Sequence, residues 1–225
     1  MNEPEKLTEM REFFNQRSPD YDRIHAGAIG GGIESKNILA SFIPQNTKTL
    51  LDIGIGTGLE LTEIFKRFPD IEVTGLDIAE KMLELCQRRC EGKKLNLIRK
   101  SYLDFDFCEN SYDAVMSVMT LHHYNHEIKT ELYKKIRHSI KPGGVYIESD
   151  YVITKRGEQG QALEDFYFSE LQRMRKEQKL DNTLEYHYDT PCTVENQLRM
   201  LENAGFTKIE IMREYENNLI IRAQN

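Results

Sequence analysis

Apolar positions along the chain follow two rhythms that take turns. Short apolar or β-branched runs at residues 49–53, 72–76, 95–99, 111–119 and 145–149 predict buried strands. Between them the apolar residues recur at helical spacing. Leu61, Ile64, Phe65 and Phe68 predict a helix that Pro69-Asp70 breaks; further helices are predicted over residues 79–91 and 127–140. Strand and helix in regular alternation imply parallel strands joined by helical crossovers, because a parallel pair needs a long connection that a helix fills.

The flanks read differently. Residues 5–16 can form a helix with Leu7, Met10, Phe13 and Phe14 on one face, and residues 33–43 a second one stopped by Pro44. Between them lie Pro19-Asp20, a turn signal, and four glycines in residues 27–32, which suit either a hinge or a plain loop. After residue 150 comes a stretch longer than a simple crossover. It holds a helix at 162–178 and the polar run Glu185-Tyr186-His187-Tyr188-Asp189. Thr193 is placed to cap a helix carrying Val194, Leu198, Leu201 and Ala204, ended by Gly205. Residues 206–212 and 219–223 then predict a closing pair of strands. No repeat or low-complexity tract interrupts this order.

Chemistry concentrates at the first strand. It runs into Asp52-Ile53-Gly54-Ile55-Gly56-Thr57-Gly58, a glycine turn before a helix, as in nucleotide-binding βαβ units. A dinucleotide fingerprint would need glycine at position 59, where this chain has Leu59. Asp52 inside a core strand is costly unless something pairs with it. Asp77 ends the second strand, 19 residues beyond Gly58, where a carboxylate can accept from both hydroxyls of a ribose; it could equally cap the helix that follows.

The D-x-G-x-G-x-G order resembles motif I of the class I S-adenosyl-L-methionine (SAM) dependent methyltransferases, and Asp77 their second motif. Tyr112-Asp113 and Lys141-Pro142-Gly143-Gly144 extend the resemblance to about residues 45–150. It implies a Rossmann-like seven-stranded, mostly parallel α/β sheet with its last strand antiparallel, helices on both faces and a helical insertion after the fifth strand. It implies one domain: residues 1–44 a helical lid, 45–150 the SAM-binding core, 151–192 a cap over the acceptor, 193–225 the closing elements. The methionyl end of SAM would lie by Asp52, Gly54 and Gly56, and its ribose and adenine by Asp77, Ile78 and Met82. Where the family usually shows Gly-Asp after the third strand, this chain has Lys100-Ser101-Tyr102, so Ser101 and Tyr102 would face the adenine, with Asp104 and Asp106 as nearby substitutes. Met119 would lie near the transferred methyl. Tyr21, in a Tyr-Asp pair resembling the lids of small-molecule methyltransferases, would approach the cofactor or else pack a helix onto the core. His122 and His123 are candidate general bases, or else order the loop by backbone hydrogen bonds.

Composition narrows the partners. The chain has 225 residues and a net charge of −7, with 30 Lys and Arg against 37 Asp and Glu, which argues mildly against a nucleic-acid substrate. No apolar run reaches membrane-span length. The charged N-terminal residues are unlike a signal or transit peptide, and the four cysteines form no C-x-x-C pair, so a cytoplasmic protein with reduced thiols is expected. Neither Cys86 and Cys90 nor His122 and His126, each four apart, comes with an evident third ligand, so no metal is expected. The expectation is a SAM-dependent methyltransferase acting on a small-molecule acceptor, as monomer or homodimer. The alternatives are an enzyme of the carboxy-SAM synthase group, which acts in tRNA modification, or a SAM-binding protein without transfer activity. A nicotinamide-dependent oxidoreductase is disfavoured by Leu59 and by the absence of a Tyr-x-x-x-Lys pair.

Overall fold

The computed structural model describes residues 6–28, 30–181 and 184–225. Its centre is a twisted sheet built from β1 (Thr49–Ile53), β2 (Glu72–Asp77), β3 (Leu95–Arg99), β4 (Tyr112–Val118), β5 (Ile140–Ile153), β7 (Lys208–Glu214) and β8 (Asn218–Gln224), in the order β3-β2-β1-β4-β5-β8-β7. All pairs from β3 to β5 are parallel; β8 runs antiparallel to both of its neighbours. The fold expected from the resemblance is therefore present, with one addition: the two-residue β6 (Cys192–Thr193) pairs with the end of β5.

Strand order reverses between β1 and β4, since β1 lies between β2 and β4. At that point the crossovers leave in opposite directions and open a crevice at the strands' carboxyl ends. The sheet keeps both faces dry because its strands alternate. Leu51, Ile53 and Val115 pack on one face with Leu132, Tyr133 and Ile136 of α6 (His126–Ser139). Leu50, Ala114 and Met116 pack on the other with Leu61, Ile64 and Phe65, mostly from α4 (Leu61–Arg67). Each fully buried Leu or Ile contributes about 1.5–3 kcal/mol.

The structure redraws several predicted elements. The first helix, α1 (Met10–Arg17), starts later than expected because the preceding residues are extended: Glu9 pairs with Tyr186, Met10 N–H donates to Glu185 O at 2.8 Å and His187 N–H to Thr8 O at 2.9 Å. α2 (Tyr21–Ala28) follows a 3-10 turn at Ser18–Asp20. The helix predicted over 33–43 is split into α3 (Gly32–Asn37) and a 3-10 segment, Ile38–Phe42. Ser35, Asn37 and Ser41 are weak helix formers, and Ser41 Oγ donates to Ile38 O, tightening that last turn. The Lys141–Gly144 segment is an irregular stretch inside β5, where Gly144 passes so close to Asp113 O that a Cβ would lie 2.6 Å from it.

The remaining helices are α5 (Glu80–Arg89), α7 (Gly157–Glu177) and α8 (Val194–Asn203). Thr193 caps α8 as expected, accepting from Asn196 N–H at 3.2 Å. No described helix is long and apolar enough to cross a membrane. Of the glycine run, residue 29 lies outside the described residues. Gly30 packs against the β7–β8 connection, where a Cβ would meet Asn217 Oδ1 at 2.7 Å and Tyr215 Cβ at 2.9 Å, so close approach accounts for this glycine.

Candidate active site

The crevice holds two adjoining cavities. The first sits over the glycine turn. Gly54 has φ +68° and would place a Cβ 2.1 Å from Thr120 Oγ1, so any side chain there fills the cavity from below. Gly56 has φ +53°, which turns its N–H toward Asp77 Oδ2 at 2.9 Å. Asp77 Oδ1 accepts from Ala79 N–H at 2.7 Å and so holds the turn before α5; the N-cap of that helix is Ala79, so Asp77 is not its cap. A carboxylate offers about four acceptor positions, so these backbone contacts leave acceptor capacity beside the cavity that Asp77 lines. Burial raises Asp77 to about 6, against the pull of its backbone hydrogen bonds.

Tyr21, Ile78 and Met82 also line this cavity, as do Ser101, Tyr102 and Met119 on its other walls. Asp52 does not. Its carboxyl is buried behind the turn, against the Glu60 carboxyl. Burial first, then the adjoining Glu60 carboxyl, raises it well above the usual carboxylate range. Of the cofactor residues inferred from the sequence, Asp52 alone stands outside the cavity lining.

Ser101 Oγ donates to Glu185 Oε1 at 2.7 Å, and Tyr124 OH donates to Glu185 Oε2. Tyr102 OH donates to Thr120 O at 3.1 Å. Tyr21 is buried, and burial with the nearby Asp77 raises its phenol, so it stays neutral. Its helix is tied to the glycine turn: Thr57 Oγ1 donates to Asp22 Oδ1 at 2.6 Å, and Arg89 bridges Thr57 O and Asp22.

The second cavity, about 300 Å³, adjoins the first across Met119 and His123, which line both. Met119 has φ +52°, an uncommon conformation for a side chain this long, and sits where β4 hands over to a 3-10 turn, Leu121–His123. That turn aims His122 and His123 into the second cavity. His122 Nδ1 meets Asp150 Oδ1 at 2.7 Å and His122 Nε2 lies 3.5 Å from Asp189 Oδ1. Burial would depress His122, but the two carboxylates outweigh it and hold it up to about 9. His123 goes the other way: burial, then the charge of His122, lowers it. A ready-made proton acceptor at His122 is thus at odds with its surroundings. His126 is turned away to Glu164, at 2.6 Å, and plays no part in the cavity.

Several lining residues escaped the sequence reading. Phe14 lies between the cavities and touches Tyr21, His123 and His187. Thr120, which lines the first cavity, also went unassigned, as did Asp150, which lines neither cavity but holds His122 from behind. The polar run from Glu185 to Asp189 was legible as a source of hydrogen-bonding groups, and the pairing of residues 8–10 with 185–187 carries it over the crevice.

Glycine turn, ribose-competent acid and switch-point crevice define a nucleotide-binding α/β domain with the strand order of a methyltransferase. Comparison with known proteins agrees. Residues 50–144 match the family described as a methyltransferase domain. A carboxy-S-adenosyl-L-methionine synthase of Nautilia profundicola is 27% identical over 191 residues, covering 80% of this chain and 78% of that protein. An uncharacterized methyltransferase, YdaC of Bacillus subtilis, is 34% identical over 96 residues, 43% of this chain and 52% of that one. Among solved structures, human N-acetylserotonin methyltransferase in complex with SAM has a TM-score of 0.65 at 14% identity, covering 96% of this chain and 56% of that chain. An O-methyltransferase family protein from Burkholderia thailandensis has a TM-score of 0.64 at 18% identity, covering 96% and 59%. The chain thus spans under two thirds of these solved chains, and the likeness to them is one of fold. Residues 50–144 thus match a methyltransferase domain, and the relatives along the rest of the chain support a class I SAM-dependent methyltransferase.

Proposed function

We propose that the chain transfers the SAM methyl to a small-molecule acceptor held in the second cavity. The observation that carries this is the contact of the two cavities at Met119 and His123, at the end of β4. A cofactor in the first cavity would present its reactive end to a ligand in the second there. The donor set fits SAM: Asp77 keeps acceptor capacity for the ribose, Gly54 and Gly56 leave the floor open, and Met82, Ile78 and Tyr102 supply apolar walls. When bound, SAM supplies an activated methyl on sulfur. The residues of this chain bind, orient and exclude water; positioning of this kind can supply much of the rate. Calorimetry tests the reading first: SAM and S-adenosylhomocysteine should bind and NAD should not. Absence of heat with both sulfur compounds would sink it.

Residues 8–22 act as a lid in this reading. The first cavity encloses only about 40 Å³, room for a few waters, and Met10, Phe14 and Tyr21 form part of its wall. A nucleoside-sized cofactor enters only when that wall swings out, and closure then shields the methyl from water. The Asp22 contacts with Thr57 and Arg89 are the latch. Asp22→Ala is expected to speed amide exchange over residues 10–22 without cofactor. Exchange equal to that of the unaltered protein would make these residues a fixed wall.

A second reading rests on the Nautilia relative, whose likeness spans most of both chains. In it, this chain forms carboxy-SAM. Mass spectrometry of the nucleoside products separates the two: S-adenosylhomocysteine marks methyl transfer, and a nucleoside heavier than SAM by a carboxylate marks the alternative.

A further inference from the structure

We infer that His122, His123 and Asp189 form a binding site for a divalent transition-metal ion of the Zn²⁺ type at the wall of the second cavity. This goes beyond the transfer reaction and rests on that reading only in taking the second cavity as the acceptor's place.

Four observations carry it. One donor atom from each of the three residues lies within 4.8 Å of the other two. Asp189 Oδ1 is 3.3 Å from His123 Nδ1 and 3.5 Å from His122 Nε2. Ligands held about 2.0–2.1 Å from a tetrahedral ion stand about 3.3 Å from each other, so Asp189 Oδ1 is already near ligand spacing from each histidine nitrogen. Second, Asp189 Oδ1 is buried yet makes no hydrogen bond of normal geometry among the described residues. This buried carboxylate oxygen faces two ring nitrogens without a well-formed hydrogen bond to either, and His123 Nδ1 also lies 3.3 Å from Tyr188 O, a contact that an ion between the three side chains would replace.

Third, the orientation of His122 is fixed from behind. Its Nδ1 meets Asp150 Oδ1 at 2.7 Å, which leaves Nε2 for the site, the carboxylate–histidine arrangement that supports metal ligands. Fourth, a further imidazole is at hand. His187 Nε2 lies 3.7 Å from Asp189 Oδ1, and its ring is stacked on Phe13. Two imidazoles and a carboxylate leave coordination positions open, and all three residues line the cavity. Arg17 lines the same space, its guanidinium 4.4 Å from the centre of the Phe13 ring. The ligand completing the sphere is therefore an anionic oxygen, or a hydroxyl or thiol that the ion helps to deprotonate. The bare i, i+4 spacing of His122 and His126 gave no hint of this, because the third ligand comes from the far side of the insertion.

The test uses the full, untagged chain, stripped with a chelator and dialysed. Zn²⁺ is titrated by calorimetry, and Co²⁺ by its visible absorption, which reports nitrogen and oxygen coordination directly. One equivalent of Zn²⁺ should bind per chain, with a Co²⁺ spectrum of low coordination number. Asp189→Asn and His123→Gln should each weaken Zn²⁺ binding at least tenfold, with melting curves confirming folded variants. Asp189 is 43% exposed at its side chain, so the conservative change there is the safer of the two for folding. Lack of stoichiometric Zn²⁺ binding, or binding equally tight in both variants, overturns the site. Calorimetry with S-adenosylhomocysteine on the same metal-free samples tests the cofactor reading separately. Zn²⁺ bound without S-adenosylhomocysteine leaves the metal site standing and removes the transfer reading; the reverse result does the opposite.

Discussion

Asp77→Ala is expected to weaken SAM binding by about 1–3 kcal/mol or more, roughly 5- to 150-fold, the range for leaving buried hydrogen-bonding groups unpaired. Both Asp77 oxygens already receive a backbone N–H, from Gly56 at 2.9 Å and Ala79 at 2.7 Å. The variant therefore loses more than a ribose contact. It frees the glycine turn and the turn that leads into α5, and each lost hydrogen bond costs about 1 kcal/mol of stability. A melting curve has to accompany the binding measurement. Asp77→Asn sharpens the comparison, since its amide keeps one oxygen acceptor but turns the other position into a donor that opposes a ribose hydroxyl. Affinity unchanged in a folded Asp77→Ala would reduce the residue to a brace of the two turns.

The same residue sets a pH dependence. Burial raises Asp77 to about 6 in the cofactor-free protein, above the ordinary value of 3.8. The ionised form thus costs the fold something: that cost is absent below the ordinary value and fully present above about 6. A group held ionised against stability is characteristic of a functional position. Hydroxyl donors from a ribose favour the ionised form and offset the cost. SAM affinity should therefore fall as pH drops through about 6, and Asp77→Asn should abolish that dependence. A flat profile in the unaltered protein would separate Asp77 from the ribose.

What could be read from the chain, and what could not, divides by sequence distance. β1, the glycine turn and Asp77 were legible because their geometry is local: a strand delivers its last side chain to one end, and three glycines permit only a few turns. Tyr21 was harder. Its ring reaches the cavity because α1 packs on α5, where Asn15 Oδ1 accepts from Lys81 N–H at 3.0 Å, and the 3-10 turn at Ser18–Asp20 then starts α2 at Tyr21 beside the crevice. Glu185 and Asp189 were legible only as polar residues without an address. They reach the crevice through the extended pairing of residues 8–10 with 185–187, and helical spacing concealed that by suggesting a helix from residue 5. Asp52 misled for the opposite reason. Its position in the motif points at the cofactor, whereas strand alternation carries its carboxyl beneath the turn, against Glu60.

Asp150 escaped notice because an acid at the end of an apolar run reads as the end of a strand. β5 in fact continues three residues further, and Asp150 is 2% exposed. Its Oδ1 contacts His122 Nδ1 at 2.7 Å and accepts from Tyr151 N–H at 3.0 Å; its Oδ2 accepts from Leu121 N–H at 3.1 Å. One carboxylate thus starts the 3-10 turn, orients its histidine and joins it to the sheet. Asp150→Ala is expected to destabilise the protein by about 3–5 kcal/mol, the range for breaking one side of a buried charged pair. For a chain of this size that lowers the melting temperature by roughly 10 °C or more. Asp150→Asn keeps an acceptor for Leu121 N–H and should fall between the two. The loss should also reach the binding sites. Met119 N–H donates to Ser149 O at 2.7 Å just before the turn, and Met119 and His123 line both cavities. A loosened turn displaces the wall they share, so S-adenosylhomocysteine binding should weaken even in conditions where the variant remains folded. Urea unfolding followed by two independent probes measures the stability term, and calorimetry the binding term. A change below about 1 kcal/mol would mean that Asp189 and the flanking backbone hold His122 without Asp150, and the carboxylate would then be a bystander of the turn it touches.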